Sequence, residues 1–423
     1  MSQGSNKIFY FSNKDKLALG MGLLAALSVR LVGVIYLAEI ICFILFLFVL
    51  PKLKLDIRFQ KLILFLILWI IGCILSNIFN ETSTLNFVKG FFFKAAIIPC
   101  LIALFWLLQD KPERILFWEF GNAISLLVSL YIFPSVIVEE FRVCGTDVAI
   151  YYHLPLIYSI AHIVYYNGFK RLGLLCEFSS GIISLFFMSR NPFIISTMAG
   201  IVTIFYASHQ NEKTIKKIRL LGLAILIMVG GFIVKTSYSY AASQGILGEE
   251  AYLKYIKQNN DSGKFGIFSG RLDFFGALYA ITQKPIIGYG DYAKDYGDLK
   301  GEFTRKYFVT ELSSYNQRTG NVNYVYGHSH ILGAWVYSGI LALPFWIYCL
   351  YLTWLFFRHC LPQQKGLLLY GASVCFSNFW NLFFSPFSAR LSLISYIFFI
   401  VLLQQLNDNS SQYQMPGKMG NNA

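Results

Sequence analysis

From Leu62 to Leu108 the chain reads LILFLILWIIGCILSNIFNETSTLNFVKGFFFKAAIIPCLIALFWLL. Two apolar runs, about 62–80 and 90–108, are joined by the polar Asn80-Glu81-Thr82-Ser83-Thr84. Each is long enough for a helix to cross the ~30 Å hydrocarbon core of a bilayer. Neither alternates polar and apolar residues as an outer-membrane strand does. In lipid, backbone polar groups must be satisfied within the span, so the helix is the default. The stretch therefore predicts two transmembrane helices and a short polar turn.

The pattern repeats on both sides. Apolar runs cover about 17–28, a segment ending at Leu50, then 116–137, 150–166, 172–188, 193–208 and 220–236. Three more reach Phe357, Phe384 and Gln404. Composition agrees: 56% of residues are hydrophobic, 13% are charged and mean hydropathy is +0.55. A soluble domain carries about a quarter charged residues. The expected fold is all-α: a polytopic bundle of about 12 transmembrane helices, with one long periplasmic loop containing short helices. Residues 1–236 form an N-terminal bundle, 237–330 the loop, 331–405 a C-terminal bundle and 406–423 a polar, disordered tail. The first apolar run lacks a small-residue cleavage site after it and reads as a retained anchor.

Charge orients this bundle. With the N-terminus inside, alternate connections hold Lys52, Lys54, Arg58 and Lys61; Lys111 and Arg114; Lys170 and Arg171; and Lys213, Lys216, Lys217 and Arg219. That is the cytoplasmic excess of the positive-inside rule. It accounts for much of the net charge of +13, and no basic soluble domain remains to bind nucleic acid. Both termini fall inside and the loop 237–328 outside. The eight cysteines include no CxxC pair, so neither a zinc site nor a disulfide is expected.

Five arginines sit against that charge rule. Arg30, Arg142, Arg190, Arg271 and Arg390 fall at or near the outer face. Snorkelling at the interface explains any one of them. As a set beside a long outer loop they also suit an anionic ligand, because a guanidinium binds phosphate oxygens bidentately. Lys94 and Glu39 lie within spans, where charge is costly. One reading pairs them with each other; the other places them in a wet cavity.

The outer loop ends in the most patterned part of the chain. Ser269 can cap a helix carrying Leu272, Phe275, Leu278 and Tyr279 at helical spacing, with Arg271 in its first turn and Pro285 ending it. Gly288 and Gly290 then permit a tight turn. Gly288-Tyr289-Gly290 matches part of a potassium-channel filter, but Ile286-Ile287 stand where the filter has Thr-Val, so a turn is the simpler reading. Of six histidines, His153, His328 and His330 are placed for outward chemistry. His328 immediately precedes a span, where it serves either as a hydrogen-bonding interfacial residue or as a proton acceptor. A metal pair with His330 is disfavoured, since residues i and i+2 do not share a helix face. No DxD motif lies on the outer side, and Asp295 and Asp298 read as a solvated surface. A sugar transferase here would use arginines to neutralise a diphosphate.

Three blocks resemble the O-antigen ligase and polymerase superfamily of bacterial membrane glycosyltransferases. Arg271, a helix and Pro285-Ile286-Ile287-Gly288-Tyr289-Gly290 are similar to its R…P-hydrophobic-hydrophobic-G-hydrophobic-G block. His328-Ser329-x-x-Leu332 with Gly339 is similar to its HN-x-x-L…G block, and Ser189-Arg190 to its S-R pair. Ser329 replaces the usual Asn, and Tyr337 stands where the family often has Glu.

The resemblance implies a metal-independent, cofactor-free, inverting transferase of the bacterial inner membrane, with a periplasmic active site. Its donor is an undecaprenyl-diphosphate-linked glycan. Its acceptor is lipid A-core, slightly favoured, or a growing glycan; membrane lipids surround it. His328 is the implied base, and Arg190 and Arg271 bind diphosphate, Arg271 also stabilising charge during transfer. Arg142 and Lys94 are further diphosphate candidates. His330, Tyr289, Arg390 and Arg30 are candidate glycan or acceptor contacts. A flippase or transporter of the same lipid-linked glycan is the rival class; it expects charges at mid-depth rather than at the outer rim.

Overall fold

The computed structural model describes residues 11–30, 34–53, 55–132, 148–186, 190–208, 222, 236–237, 239–246, 248–249, 252, 255–256, 272–307, 315–316, 321–322, 324–325, 327, 329–387 and 389–413. In chain order the helices are α1 (Asn13–Leu23), α2 (Leu37–Val49), α3 (Ile57–Phe79), α4 (Thr84–Ala95), α5 (Ile97–Leu108), α6 (Arg114–Tyr131), α7 (Val148–Tyr166), α8 (Lys170–Phe186) and α9 (Arg190–Ser208). They continue with α10 (Leu272–Gln283), α11 (Leu299–Tyr307), α12 (His330–Ser338), α13 (Leu343–Leu355), α14 (Leu368–Phe384) and α15 (Ile394–Tyr413). Two small antiparallel hairpins accompany them: β1 (Ser28–Arg30) with β2 (Val34–Tyr36), and β3 (Tyr315–Asn316) with β4 (Asn321–Val322).

Five helical segments among the described residues are long and apolar enough to cross a membrane. They are Ile57–Phe79, Thr84–Leu108, Asn191–Ser208, Ile340–Gln363 and Arg390–Asp408. The protein is thus a helical, multi-pass membrane protein. Exposed apolar side chains on these segments, such as Leu64, Ile78, Phe92 and Ile347, suit contact with lipid.

The chain divides into two compact units, residues 1–53 with 99–176 and residues 54–98 with 177–423. In the first, α1 packs on α6 and α6 on α7. Gly22 and Gly121 let the α1 and α6 backbones approach, since a Cβ on either would strike the other helix. Ser12 caps α1 in a reciprocal box with Asp15. Asp15 also accepts from Arg114 Nε at 2.8 Å and Lys111 Nζ at 2.9 Å. Burial would raise its carboxyl, but those two bonds together with the backbone and hydroxyl of Ser12 outweigh burial and hold it below the usual carboxylate range.

The second unit holds the site. Here α3 packs against α12, α13 and α4, while α9 packs on α14. Helices α10, α11 and α12 make a small core together: Ala277, Ala280 and Ile281 of α10, Phe303 of α11, Val325, and Leu332 and Val336 of α12.

Three boundaries differ from the sequence reading, each for a local reason. The run 90–108 breaks between α4 and α5 at Ala96, because Pro99 has no N–H for the carbonyl four residues back. The span reaching Phe357 is split: Gly339, at φ +71°, ends α12 before the segment Ile340–Gln363 begins. The last helix runs on to Tyr413, eight residues past the expected boundary at 405, because a helix nucleated by its buried apolar half propagates cheaply.

Candidate functional site around Asp291

One face of α3 is polar. Cys73, Ser76, Asn77 and Asn80 follow at i, i+3, i+4 and i+7, the spacing of a single helical stripe. The stripe meets the turn that follows Pro285. Asn80 Nδ2 donates to the Gly288 carbonyl at 3.1 Å. Ser76 Oγ accepts from Gly290 N at 2.9 Å and donates to the Tyr337 carbonyl at 2.8 Å. Asn77 Oδ1 accepts from Asp291 N at 3.0 Å.

The Asp291 carboxylate is enclosed. Lys94 Nζ donates to Oδ1 at 2.7 Å; Cys73 Sγ and Asn77 Nδ2 donate to Oδ2 at 2.8 and 2.9 Å. Asp291 and Lys94 are only 6% and 5% exposed, so this is an ion pair withdrawn from solvent. Gly90, one turn before Lys94, leaves room for it, since a Cβ there would collide with the carboxylate. Lys94 therefore takes Asp291 as its partner, in place of the Glu39 pairing. Glu39 accepts from Tyr36 N at 3.1 Å at the start of α2.

The same turn is bonded to the last turn of α12. Tyr289 N and Gly290 N donate to the carbonyls of Val336 and Tyr337 at 2.8 and 3.1 Å. Ile340 N donates to Ile286 O at 3.0 Å, and Trp335 Nε1 to Pro285 O at 2.6 Å. The first two bonds satisfy carbonyls that the C-terminus of α12 leaves open. Gly288 and Gly339, both at positive φ, stand where the backbones touch. At the other end of α12, Ser329 Oγ accepts from Leu332 N at 3.1 Å and donates to the Leu382 carbonyl at 2.7 Å.

Of the residues singled out from sequence, Lys94 and Arg390 come together in this unit. The Arg390 guanidinium lies 4.8 Å from the ring centre of Phe93, the neighbour of Lys94, and is buried. Tyr292 is close enough for both cations to act on its hydroxyl; burial, with Asp291, outweighs them and raises it. Tyr289 donates to the Ala280 carbonyl at 3.2 Å, and burial pushes it up to about 12. His330, just before the span Ile340–Gln363, is 8% exposed and packs against Trp346 and Phe387, with ring centres 4.8 and 5.3 Å away. Burial lowers it to about 4, although the Pro386 carbonyl works the other way, so the ring is neutral at pH 7. Its Nδ1 has no hydrogen-bond partner among the described residues.

Arg30 and Arg190 are described by backbone alone, at the end of β1 and the start of α9. Arg142, Arg271 and His328 lie outside the described residues; α10 begins one residue after Arg271, and the α12 cap one residue after His328. Asp295 and Asp298, both expected at a solvated surface, cap α11; Asp298 is half-exposed and also pairs with Arg305, whereas Asp295 departs from the expectation. Asp295 is buried and accepts from Leu299 N and Lys300 N at 2.8 and 2.9 Å.

Sequence reasoning missed Asp291, Cys73 and Asn77. Two signals pointed to them: the polar stripe on α3, and an acidic residue directly after the Gly-Tyr-Gly turn that can neutralise an intramembrane lysine. Comparison with protein families, curated proteins and solved structures finds no match to the chain.

Proposed function

We propose that the protein is a bacterial inner-membrane glycosyltransferase of O-antigen ligase or polymerase type. In this reading about twelve helices span the membrane, both termini are cytoplasmic and the loop 237–328 is periplasmic. The donor is a glycan on undecaprenyl diphosphate, and the acceptor is a sugar hydroxyl, of lipid A-core in the favoured version. The observation that carries the proposal is the junction of two sequence blocks. Pro285–Gly290 and the helix after His328 are bonded to each other, and their glycines fall where the backbones meet. Segments about 40 residues apart thus act as one piece, as blocks of a single site would. Ser329, where the family usually has Asn, also fits, because both residues cap helices.

The chemistry follows from charge. The acceptor oxygen attacks the anomeric carbon from the face opposite the diphosphate. The bond from that carbon to the diphosphate oxygen breaks, and its electron pair leaves with the diphosphate. Arg190 and Arg271 stabilise that leaving charge. His328 takes the acceptor proton, a task that typically contributes ~10²–10⁴-fold.

Reconstituted transfer from an undecaprenyl-diphosphate-linked glycan tests this. His328→Ala should lose about that factor while inserting normally, and wild-type activity should survive EDTA. Full activity of His328→Ala, or loss of wild-type activity on chelation, would falsify the base mechanism.

A further inference from the structure

We propose that Lys94 is a positioning residue rather than a ligand for the diphosphate. With Cys73 and Asn77 it clamps Asp291, and the clamped Asp291 holds the Gly288–Tyr292 turn against α12. The proposal extends the transferase reading and rests on it for one readout only.

Lys94 is already occupied. The Lys94 ammonium spends its shortest bond, 2.7 Å, on Asp291 Oδ1 and approaches the Gly90 carbonyl at 3.4 Å. It also lies 5.7 Å from the centre of the Trp69 ring. An ammonium has three donors, and this one is almost fully buried. A diphosphate would have to displace a carboxylate that Cys73 and Asn77 hold from the other side.

The backbone around Asp291 is held in an uncommon conformation. Gly290 is at φ +84° and Tyr292 at φ +56°. A tyrosine in the left-handed region is strained and persists only where its surroundings fix it. Here the residue before it is fixed at the main chain by Asn77 and at the carboxylate by three donors. Through Tyr289 N and Gly290 N the same turn grips the end of α12. The ion pair thus acts at a distance, on a half-exposed Tyr292 beside Lys94 and Arg390 and on the seat of α12.

Two kinds of role separate in a rescue experiment. The full-length chain is purified in detergent as wild type, Lys94→Met, Asp291→Asn and the double variant. Thermal unfolding is measured first, then binding of undecaprenyl diphosphate as probe. Each single variant leaves one buried group without its counter-charge and should melt several degrees lower. Each should bind the probe at least about tenfold more weakly, a loss of about 1.4 kcal/mol. The double variant removes both charges and should recover most of the melting temperature and most of the binding. A double variant that melts like wild type but still binds weakly makes Lys94 a direct anion ligand and overturns the proposal. A Lys94→Met chain that melts like wild type overturns it as well, as does a double variant no more stable than the singles. If wild type does not bind the probe, the transferase reading fails while the melting series still decides the clamp.

Discussion

At the scale of single residues, the site depends on where a side chain is missing. Gly339 sits at φ +71°, and a Cβ there would strike the Ile286 and Ile287 backbones. Gly168 has φ +98° but open space around it. The two separate strain from contact. Alanine in the left-handed region costs ~1–2 kcal/mol by itself. Gly168→Ala should lose about that, whereas Gly339→Ala should lose about 2–4 kcal/mol, because the junction must open as well. Thermal melts of the two variants in one detergent compare them directly; equal losses would mean the junction has slack. That Gly288 and Gly290 matter was legible, since glycines after a proline announce a turn, whereas Gly339 stood out only through the resemblance. Their mutual contact was not, because nothing local says that residue 288 faces residue 339. Nor was Tyr292 in the left-handed region, since a tyrosine carries no local preference for it.

At the scale of elements, α12 shows what a short helix needs. It has nine residues, too few to be stable alone in water, so its ends must be held. The turn 285–290 holds the C-terminal end and Ser329 the other. Ser329→Ala removes a cap worth ~0.5–2 kcal/mol and leaves the Leu382 carbonyl without its donor. Ser329→Asn keeps a capping oxygen and an amide donor, so melting should fall in the order wild type, Asn, Ala. An Asn variant no better than Ala would show that fit, not capping, rules the position. Reading 329–357 as one span concealed this helix, because hydropathy passes smoothly through Gly339 while the backbone does not. The stripe on α3 was concealed differently. Cys73, Ser76 and Asn77 are uncharged and leave the span apolar on average, yet all bond to residues 290–291 of one turn.

At the scale of the whole molecule, helices stand where most apolar runs predicted them, because burial and lipid ask the same of an apolar stretch. The apolar run at about 220–236 lies almost wholly outside the described residues. Orientation follows from charge, and the structure fixes at which end of a spanning helix the candidate site lies. α3 has 23 residues, about 35 Å of helix, enough to carry its ends to opposite faces. Arg58 and Lys61 lie at its N-terminal end. Asn80, just past its C-terminal end, donates to the Gly288 carbonyl and accepts from Lys284 Nζ at 2.8 Å. Residues 284–291 are therefore at the end of a membrane-long helix opposite the basic residues. If those basic residues are cytoplasmic, as the positive-inside rule requires, the loop carrying the candidate site is outside. The same rule places the basic loop 209–219 inside. Introduced cysteines read this out in a chain whose Cys144 and Cys176 are replaced by serine, the other six native cysteines being buried. Lys300→Cys, on the half-buried face of α11, should react with a membrane-impermeant maleimide added to intact cells. Ile215→Cys should react only after the membrane is opened. The opposite pattern would put the Asp291 turn and the residues around it in the cytoplasm, out of reach of a periplasmic donor, and the transferase proposal would fall with it.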